Sequence, residues 1–552
     1  MVDRKIFYQF WPEGVPKDVE IPDIPLFEML RETAKKFPDA IATTYFGVQM
    51  TYKQLDDISD RIATKLVELG LNKGETVALH FTNIPPCPAC YFGVLKAGGR
   101  VTMLSPLFKT LEVKYQLNDS EAKILIVWEG FETLDEPIIP ETKVETVIYC
   151  NLGPWFEPDP AAPGDLLSPD GSKLWLEDII KQTEPNPPSV DINPREDIAC
   201  LQYTGGTTGL PKGAMLTHRN LVANVTQMVA VFPEAEFGKE VIMAALPFYH
   251  IYAQVVVLLL GTRLGANMVL ISNPREAEEL IDAAEQNRVT LFPGIAALFN
   301  NINNHEGVEN RDMKSIKYCM SGAGPLPRDV QEKFEALTGA KLREGYGLTE
   351  ASPMTHVNPL AGRFKLGTVG LPAPSTDVKI VDIETGEKEL GLNEIGEICV
   401  KGPQVMKGYY KRPKETTDTI RDGWLYTGDA GFIDDEGYLH IKERLKNMIK
   451  YKGHSVYPAE VENLLYENEA ILECAVIGVP DEVVGENIKA YIVLKKDYKG
   501  KVTAEEIIEW AKNNMGYDKY PRDVEFIEEI PKSRIGKILH RLLREGKTDI
   551  FD

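Results

Sequence analysis

The chain has 552 residues, 43% of them apolar and 26% charged, which is the composition of a globular protein. That length exceeds what one core can fill, so two to four domains are expected. The net charge of −22 argues against a nucleic-acid partner, which needs a basic surface, but leaves room for a nucleotide held by a few local groups.

In chain order, TYKQLDDISDRIATKLVELGLNKG comes first as a clear helix. Thr51 and Gln54 stand in capping-box spacing, Leu55, Ile58, Ile62, Leu66 and Leu69 recur every three or four residues, and Gly70 ends the run. A strand at 75–81, a helix at 88–98, a strand at 100–104, a helix near 110–118 and a strand at 123–127 follow. Alternation of this kind means βαβ units and a mostly parallel sheet. Residues 153–200 are rich in Pro, Asp and Gly and predict a surface excursion. Alternation resumes over 241–345, and 366–445 holds short Gly-punctuated strands that predict a smaller β-rich subdomain. After the basic stretch RLKNMIKYKG, expected to lack a regular element, comes a compact α+β unit of about 100 residues. Its helix VTAEEIIEWAKNNM carries Thr503 and Glu506 in capping-box register.

The seven cysteines, Cys87, Cys90, Cys150, Cys200, Cys319, Cys399 and Cys474, are sparse and odd in number, unlike a disulfide framework. Cys87 and Cys90 lack a second CxxC or nearby histidines, so they read as buried thiols at a helix start. The first residues hold no long apolar core, and the longest apolar run, 253–261, is far short of a membrane span. A cytoplasmic protein is expected, with peripheral membrane contact and a homodimer left open.

The stretch with the most chemistry is YTGGTTGLPKG at 203–213. Gly205 and Gly206 let backbone approach a ligand, Thr204, Thr207 and Thr208 offer hydroxyls, and Lys212 offers charge. An apparent strand precedes it and an apparent helix follows, so a strand-to-helix turn is expected, where phosphates bind. It is not a Walker A loop, because Pro211 precedes Lys212 and Gly213 follows where Ser or Thr is needed.

This loop resembles that of the adenylate-forming enzymes, a superfamily of acyl-CoA synthetases, peptide-synthetase adenylation domains and luciferase. Three further motifs of that family stand in order: GYGLTE at 345–350, YTGD at 426–429 running on to GYLHIKERLKNMIKYKGHSVYPAEVE, and PKSRIGKILHR at 531–541. The likeness covers about residues 25–545 and is greatest to long-chain fatty acid–CoA ligases. It implies an α/β fold with a large domain over 1–445 and a small mobile α+β domain over 446–552, hinged near Lys446. It implies a two-step reaction using ATP, Mg²⁺ and coenzyme A: a carboxylate attacks the α-phosphate of ATP, then a thiol attacks the acyl-adenylate. Such chemistry joins two anions and needs cations and oriented donors more than a base.

By the same resemblance, Thr204 through Gly209, with Lys212, would hold the β- and γ-phosphates. Glu344, Gly345, Tyr346 and Gly347 would border the nucleotide, with Tyr346 against adenine, and Thr349 would reach the α-phosphate. Glu350, with Thr204, would hold Mg²⁺, a cation that prefers such oxygens. Asp429 would bind the ribose hydroxyls, Arg444 the ribose or phosphate, and Lys446 would serve the hinge. Lys537 would bridge carboxylate and α-phosphate in adenylation, while Lys450 and Gly453 would belong to the face used for thioester formation.

The segment 245–261 is expected to line the acyl pocket, with His250, Gly294, Gly322, Ala323 and Gly324 as further wall residues. No acidic residue occurs between Glu240 and Glu276, which argues against an amino-acid substrate with its ammonium group. A fatty acid is favoured, with an aryl acid as the close rival. Transfer to a carrier protein in trans, and a non-catalytic binding protein, are the other readings.

Overall fold

The computed structural model describes residues 5–162, 164–204, 210–452, 454–481, 483–517, 519–532 and 538–547. Of the candidate residues, Gly205, Gly206, Thr207, Thr208, Gly209, Gly453 and Lys537 lie outside them.

The helix legible at the start is Tyr52–Glu68. Thr51 caps it, its hydroxyl accepting the Gln54 backbone N–H at 3.2 Å while the Gln54 side chain accepts the Thr51 N–H at 2.9 Å. Leu55, Ile58, Ile62 and Leu66 are all buried. Burying each contributes about 1.5–3 kcal/mol, and that face, more than helix propensity, keeps the segment helical.

The chain divides into two compact units. One comprises Tyr8–Asp377 and Lys401–Leu425. It contains a nine-stranded sheet, in the order Leu371–Pro372, Met354–Val357, Lys341–Gly347, Tyr318–Ser321, Leu291–Gly294, Val241–Ala244, Asn267–Leu270, Ile41–Tyr45 and Val48–Thr51. The six strands from Lys341–Gly347 to Ile41–Tyr45 run parallel, and the outer ones are antiparallel. A seven-stranded sheet runs Gly408–Tyr409, Lys212–Thr217, Ile198–Thr204, Arg100–Met103, Thr76–His80, Ala122–Trp128 and Thr146–Cys150. Its last five strands are parallel.

Residues 153–200 depart from the expected surface excursion. Trp155 and the helix Leu176–Gln182 reach the core, and fully buried Glu177 accepts the Trp155 indole N–H at 2.7 Å and the Cys150 thiol at 3.2 Å. The Pro- and Asp-rich flanks mask this short apolar run. All seven cysteines are free and buried, as expected for core thiols.

The other unit comprises Met1–Phe7, Val378–Val400 and Tyr426–Asp552. It contains the antiparallel pairing of Asp429–Ile433 with Leu439–Arg444, and a five-stranded sheet built on the long hairpin Ile471–Asp481 and Gly485–Leu494. Helices Pro458–Leu465 and Ala504–Asn514 pack on that sheet through Val461, Leu465, Ile507 and Ala511. The basic stretch expected to be irregular holds a 3₁₀ turn, Leu445–Asn447, and a strand, Ile449–Tyr451. Both are shorter than a periodicity can reveal.

Candidate functional site

In the nine-stranded sheet the register sets Gly294 beside Ser321 and Ser321 beside Glu344. The glycine-bearing ends SGAG and GYGLTE therefore leave the same carboxyl edge of one parallel sheet, the edge at which open α/β folds bind ligands. Gly294 and Gly322 are small because rings crowd them: an added Cβ would lie 2.8 Å from the Phe299 ring and 3.2 Å from the Tyr252 ring. Ala323 and Gly324 are exposed, Ala323 at φ +65°. His250 caps the helix that follows, its Nδ1 accepting the Tyr252 N–H at 3.2 Å.

From this edge the chain turns back as an antiparallel pair, Tyr346 opposite His356 with ring centroids 6.1 Å apart. His356 is fully buried, which pushes its imidazole down to about 3 and keeps it neutral. Gly347 admits no side chain, since a Cβ would sit 2.2 Å from the Pro353 carbonyl oxygen. Burial pushes the Glu344 carboxyl up to about 8, against a hydrogen bond from the Leu326 backbone. Two buried hydroxyls, Ser321 and Ser352, have no hydrogen-bond partner among the described residues. Such orphans are rare, and these stand at the ends of the same turns.

Thr349 opens the 3₁₀ turn Thr349–Ala351, which presents Glu350 half-buried. Glu350 Oε1 accepts the Tyr409 hydroxyl at 2.6 Å, and its main-chain carbonyl accepts the Met406 N–H at 2.8 Å. The Tyr409 ring lies 5.3 Å from the Lys212 ammonium. Tyr409 escaped the sequence reading: a tyrosine in GYYKRP carries no motif, and only the pairing of its strand with Lys212–Thr217 brings it here.

The expected strand-to-helix turn at the glycine loop is corrected. Thr204 ends one strand and Lys212 starts its antiparallel neighbour, with Thr204 paired to Lys212, so the two strands form a hairpin. The helix begins only at His218, behind its own cap Thr217.

Within the other unit, Asp429 and Arg444 face each other across the antiparallel pair, with Arg444 Nε 3.2 Å from Asp429 Oδ1. Asp429 is buried and Arg444 half-buried. Lys446 is exposed in its 3₁₀ turn, and its carbonyl accepts from Arg544 at 3.1 Å. Lys450 is also exposed, its N–H donating to Glu486 Oε2 at 2.7 Å.

Among the described residues no group of three or more His, Cys, Asp or Glu side chains is arranged to hold a metal. A lone Glu350 fits Mg²⁺ in one way: magnesium commonly takes one or two carboxylates and completes its shell with water and substrate phosphates. No helix among the described residues is long and apolar enough to cross a membrane.

The AMP-binding enzyme family matches residues 30–410, and the AMP-binding enzyme C-terminal domain matches residues 460–537. The chain is 39% identical over 565 residues to the long-chain-fatty-acid–CoA ligase of Bacillus subtilis (strain 168), covering 100% of this chain and 99% of that one. It is 37% identical over 572 residues to that of Salmonella typhimurium, covering 99% of both. The crystal structure of ATP-bound MatB from Rhodopseudomonas palustris superposes with a TM-score of 0.84 at 28% identity, covering 96% of this chain and all of that one.

Proposed function

The chain belongs to the AMP-binding enzymes, and from that premise we propose that it is an ATP-dependent fatty acid–CoA ligase. A carboxylate oxygen attacks the α-phosphorus of ATP and the bond to pyrophosphate breaks, leaving acyl-adenylate. The thiol sulfur of coenzyme A then attacks the acyl carbonyl, and AMP departs with the electrons of the broken acyl–phosphate bond.

In this reading Thr204 through Gly209, with Lys212, hold the phosphates that leave, and Thr349 orients the α-phosphate. Tyr346 stacks on adenine, and Asp429 and Arg444 take the ribose; a buried carboxylate offers two acceptor oxygens to two hydroxyls. Glu350 is the residue for Mg²⁺, whose charge, when bound, offsets that of the phosphate oxygens. Residues 446–552 turn as a body about Lys446 between the two steps, Lys537 serving the first and Lys450 with Gly453 the second. The cytoplasm is taken as the compartment, since seven free thiols suit reducing surroundings.

One observation carries the substrate class. The helix meets the sheet through apolar side chains: Tyr252 lies against Gly322, and Val256 and Leu260 line a small void with Ile242, Leu291, Tyr318 and Met320. No acid lines it to hold a substrate ammonium. Part of the helix, Gln254–Leu259, is π-helical, a widened form that recurs at functional sites. The void there is only about 10 Å³, room for one water at most. A tail of either kind therefore requires these side chains to move; an aryl acid is the second reading.

The test is pyrophosphate release in the presence of coenzyme A against a panel of fatty, aryl and amino acids. Turnover of medium- or long-chain fatty acids above all others is expected. Preference for an aryl acid selects the second reading, and turnover of no carboxylate at all sinks the ligase.

A further inference from the structure

The main chain ties three separate segments together around Glu350. Strand Gly408–Tyr409 pairs with Lys212–Thr217, Tyr409 opposite Ala214 and Gly408 opposite Met215. The Tyr410 N–H extends the pairing to the Gly213 carbonyl at 2.8 Å, and the Met406 N–H reaches the Glu350 carbonyl at 2.8 Å. Thr416 braces this strap by accepting the Tyr409 N–H at 2.9 Å. The Tyr409 side chain thus spans a fixed interval: its ring meets the Lys212 ammonium at 5.3 Å and its hydroxyl meets Glu350 Oε1 at 2.6 Å.

We propose that Tyr409 is a positioning residue that sets the Glu350 carboxylate for its cation with its hydroxyl and the Lys212 ammonium for phosphate with its ring. The proposal rests on the roles given above to Glu350 and Lys212. The hydroxyl engages one carboxylate oxygen, fixing the plane of the carboxyl and leaving Oε2 to face a hard cation. Carboxylates that hold metals are themselves hydrogen-bonded, and loss of such an outer partner typically costs 10–100-fold in metal affinity or activity. The ring attracts the ammonium through its electron-rich face while leaving the N–H donors available. One side chain therefore couples the two positive charges that the chemistry requires, and coupling them through a single rigid ring keeps their spacing constant.

Two variants separate its two ends. Tyr409→Phe keeps the ring and removes the hydroxyl; Tyr409→Leu removes both. The probe is ATP binding to the full chain by calorimetry across a Mg²⁺ titration, without carboxylate or coenzyme A, beside pyrophosphate release under the same titration. Y409F is expected to raise the Mg²⁺ concentration for half-maximal ATP binding by about 10-fold and to leave metal-free ATP binding as in the wild type. Y409L is expected to weaken metal-free ATP binding as well. An unchanged Mg²⁺ half-saturation in Y409F, with Glu350→Gln strongly shifted, overturns the proposal and leaves the role of Glu350 standing. An unchanged half-saturation in both Y409F and Glu350→Gln overturns the role of Glu350 as well. Weakened metal-free binding in Y409F to the same degree as in Y409L also overturns the division of labour, since a merely structural role moves both variants together.

Discussion

Glu344 is a carboxyl that the fold holds away from water, and burial pushes it up to about 8 from an ordinary value of 4.5. In the unfolded chain it ionises near the ordinary value. Between the two values the folded state keeps a proton that the unfolded state has lost, so rising pH draws the equilibrium toward unfolding. The Glu344→Gln variant carries no such proton and still accepts the Leu326 N–H through its amide oxygen. Relative to wild type it is expected to gain melting temperature steadily from about pH 5 to pH 8 and no further above. Thermal melts across that range check it; a flat difference between the two proteins would falsify the shift. The motif around it was legible as residue types in order, because GYGLTE is a string of local demands. Gly347 is the clearest of them, since the Pro353 carbonyl occupies the space of its Cβ. The protonation of Glu344 was not legible, because burial depends on the Leu326 and Asn358 segments that fold over it.

At the scale of elements, what could be read was what repeats or caps. The helix Tyr52–Glu68 announces both signals, and so does Ala504–Asn514, where the Thr503 hydroxyl accepts the Glu506 N–H at 3.2 Å and Glu506 accepts the Thr503 N–H at 2.9 Å. A cap satisfies backbone donors that the first turn leaves open, and its loss costs about 1 kcal/mol. Thr503→Ala is therefore expected to speed hydrogen exchange in the first turn of that helix by about fivefold, with the far strands of the same sheet unaffected; exchange mass spectrometry resolves the two. The hairpin at the glycine loop escaped for a physical reason. Lys212–Thr217 is six residues of mixed polarity, and its pairing partners, Ile198–Thr204 and Gly408–Tyr409, lie before the loop and nearly two hundred residues beyond it. Neither helical nor alternating periodicity marks it, so Lys212 and Gly213 read as loop, and Leu216 and Thr217 read as part of the helix that starts at His218.

At the scale of the whole molecule, the proposed ligase divides its two steps between different residue sets. The two anions of the first step, carboxylate and α-phosphate, need a cation between them, and the proposal assigns it to Lys537. The second step has no such need, since a thiol attacks an already activated carbonyl; the face proposed for it is that of Lys450. The two half-reactions can be run apart. Carboxylate-dependent exchange of pyrophosphate into ATP reports only the first, and coenzyme A consumption from supplied acyl-adenylate reports only the second. Lys537→Ala is expected to remove the exchange and largely spare the transfer, and Lys450→Ala to do the reverse. Removing a charge-stabilising donor of this kind costs about 10²–10³ in rate, so each loss should stand far above the residual effect on the other step. Both variants alter one side chain, Lys450 at an exposed position, so a fold-wide effect would appear as equal loss of both half-reactions in either variant. That equal loss, in protein that melts as wild type does, would mean that one fixed arrangement serves both steps and that no turning about Lys446 is needed.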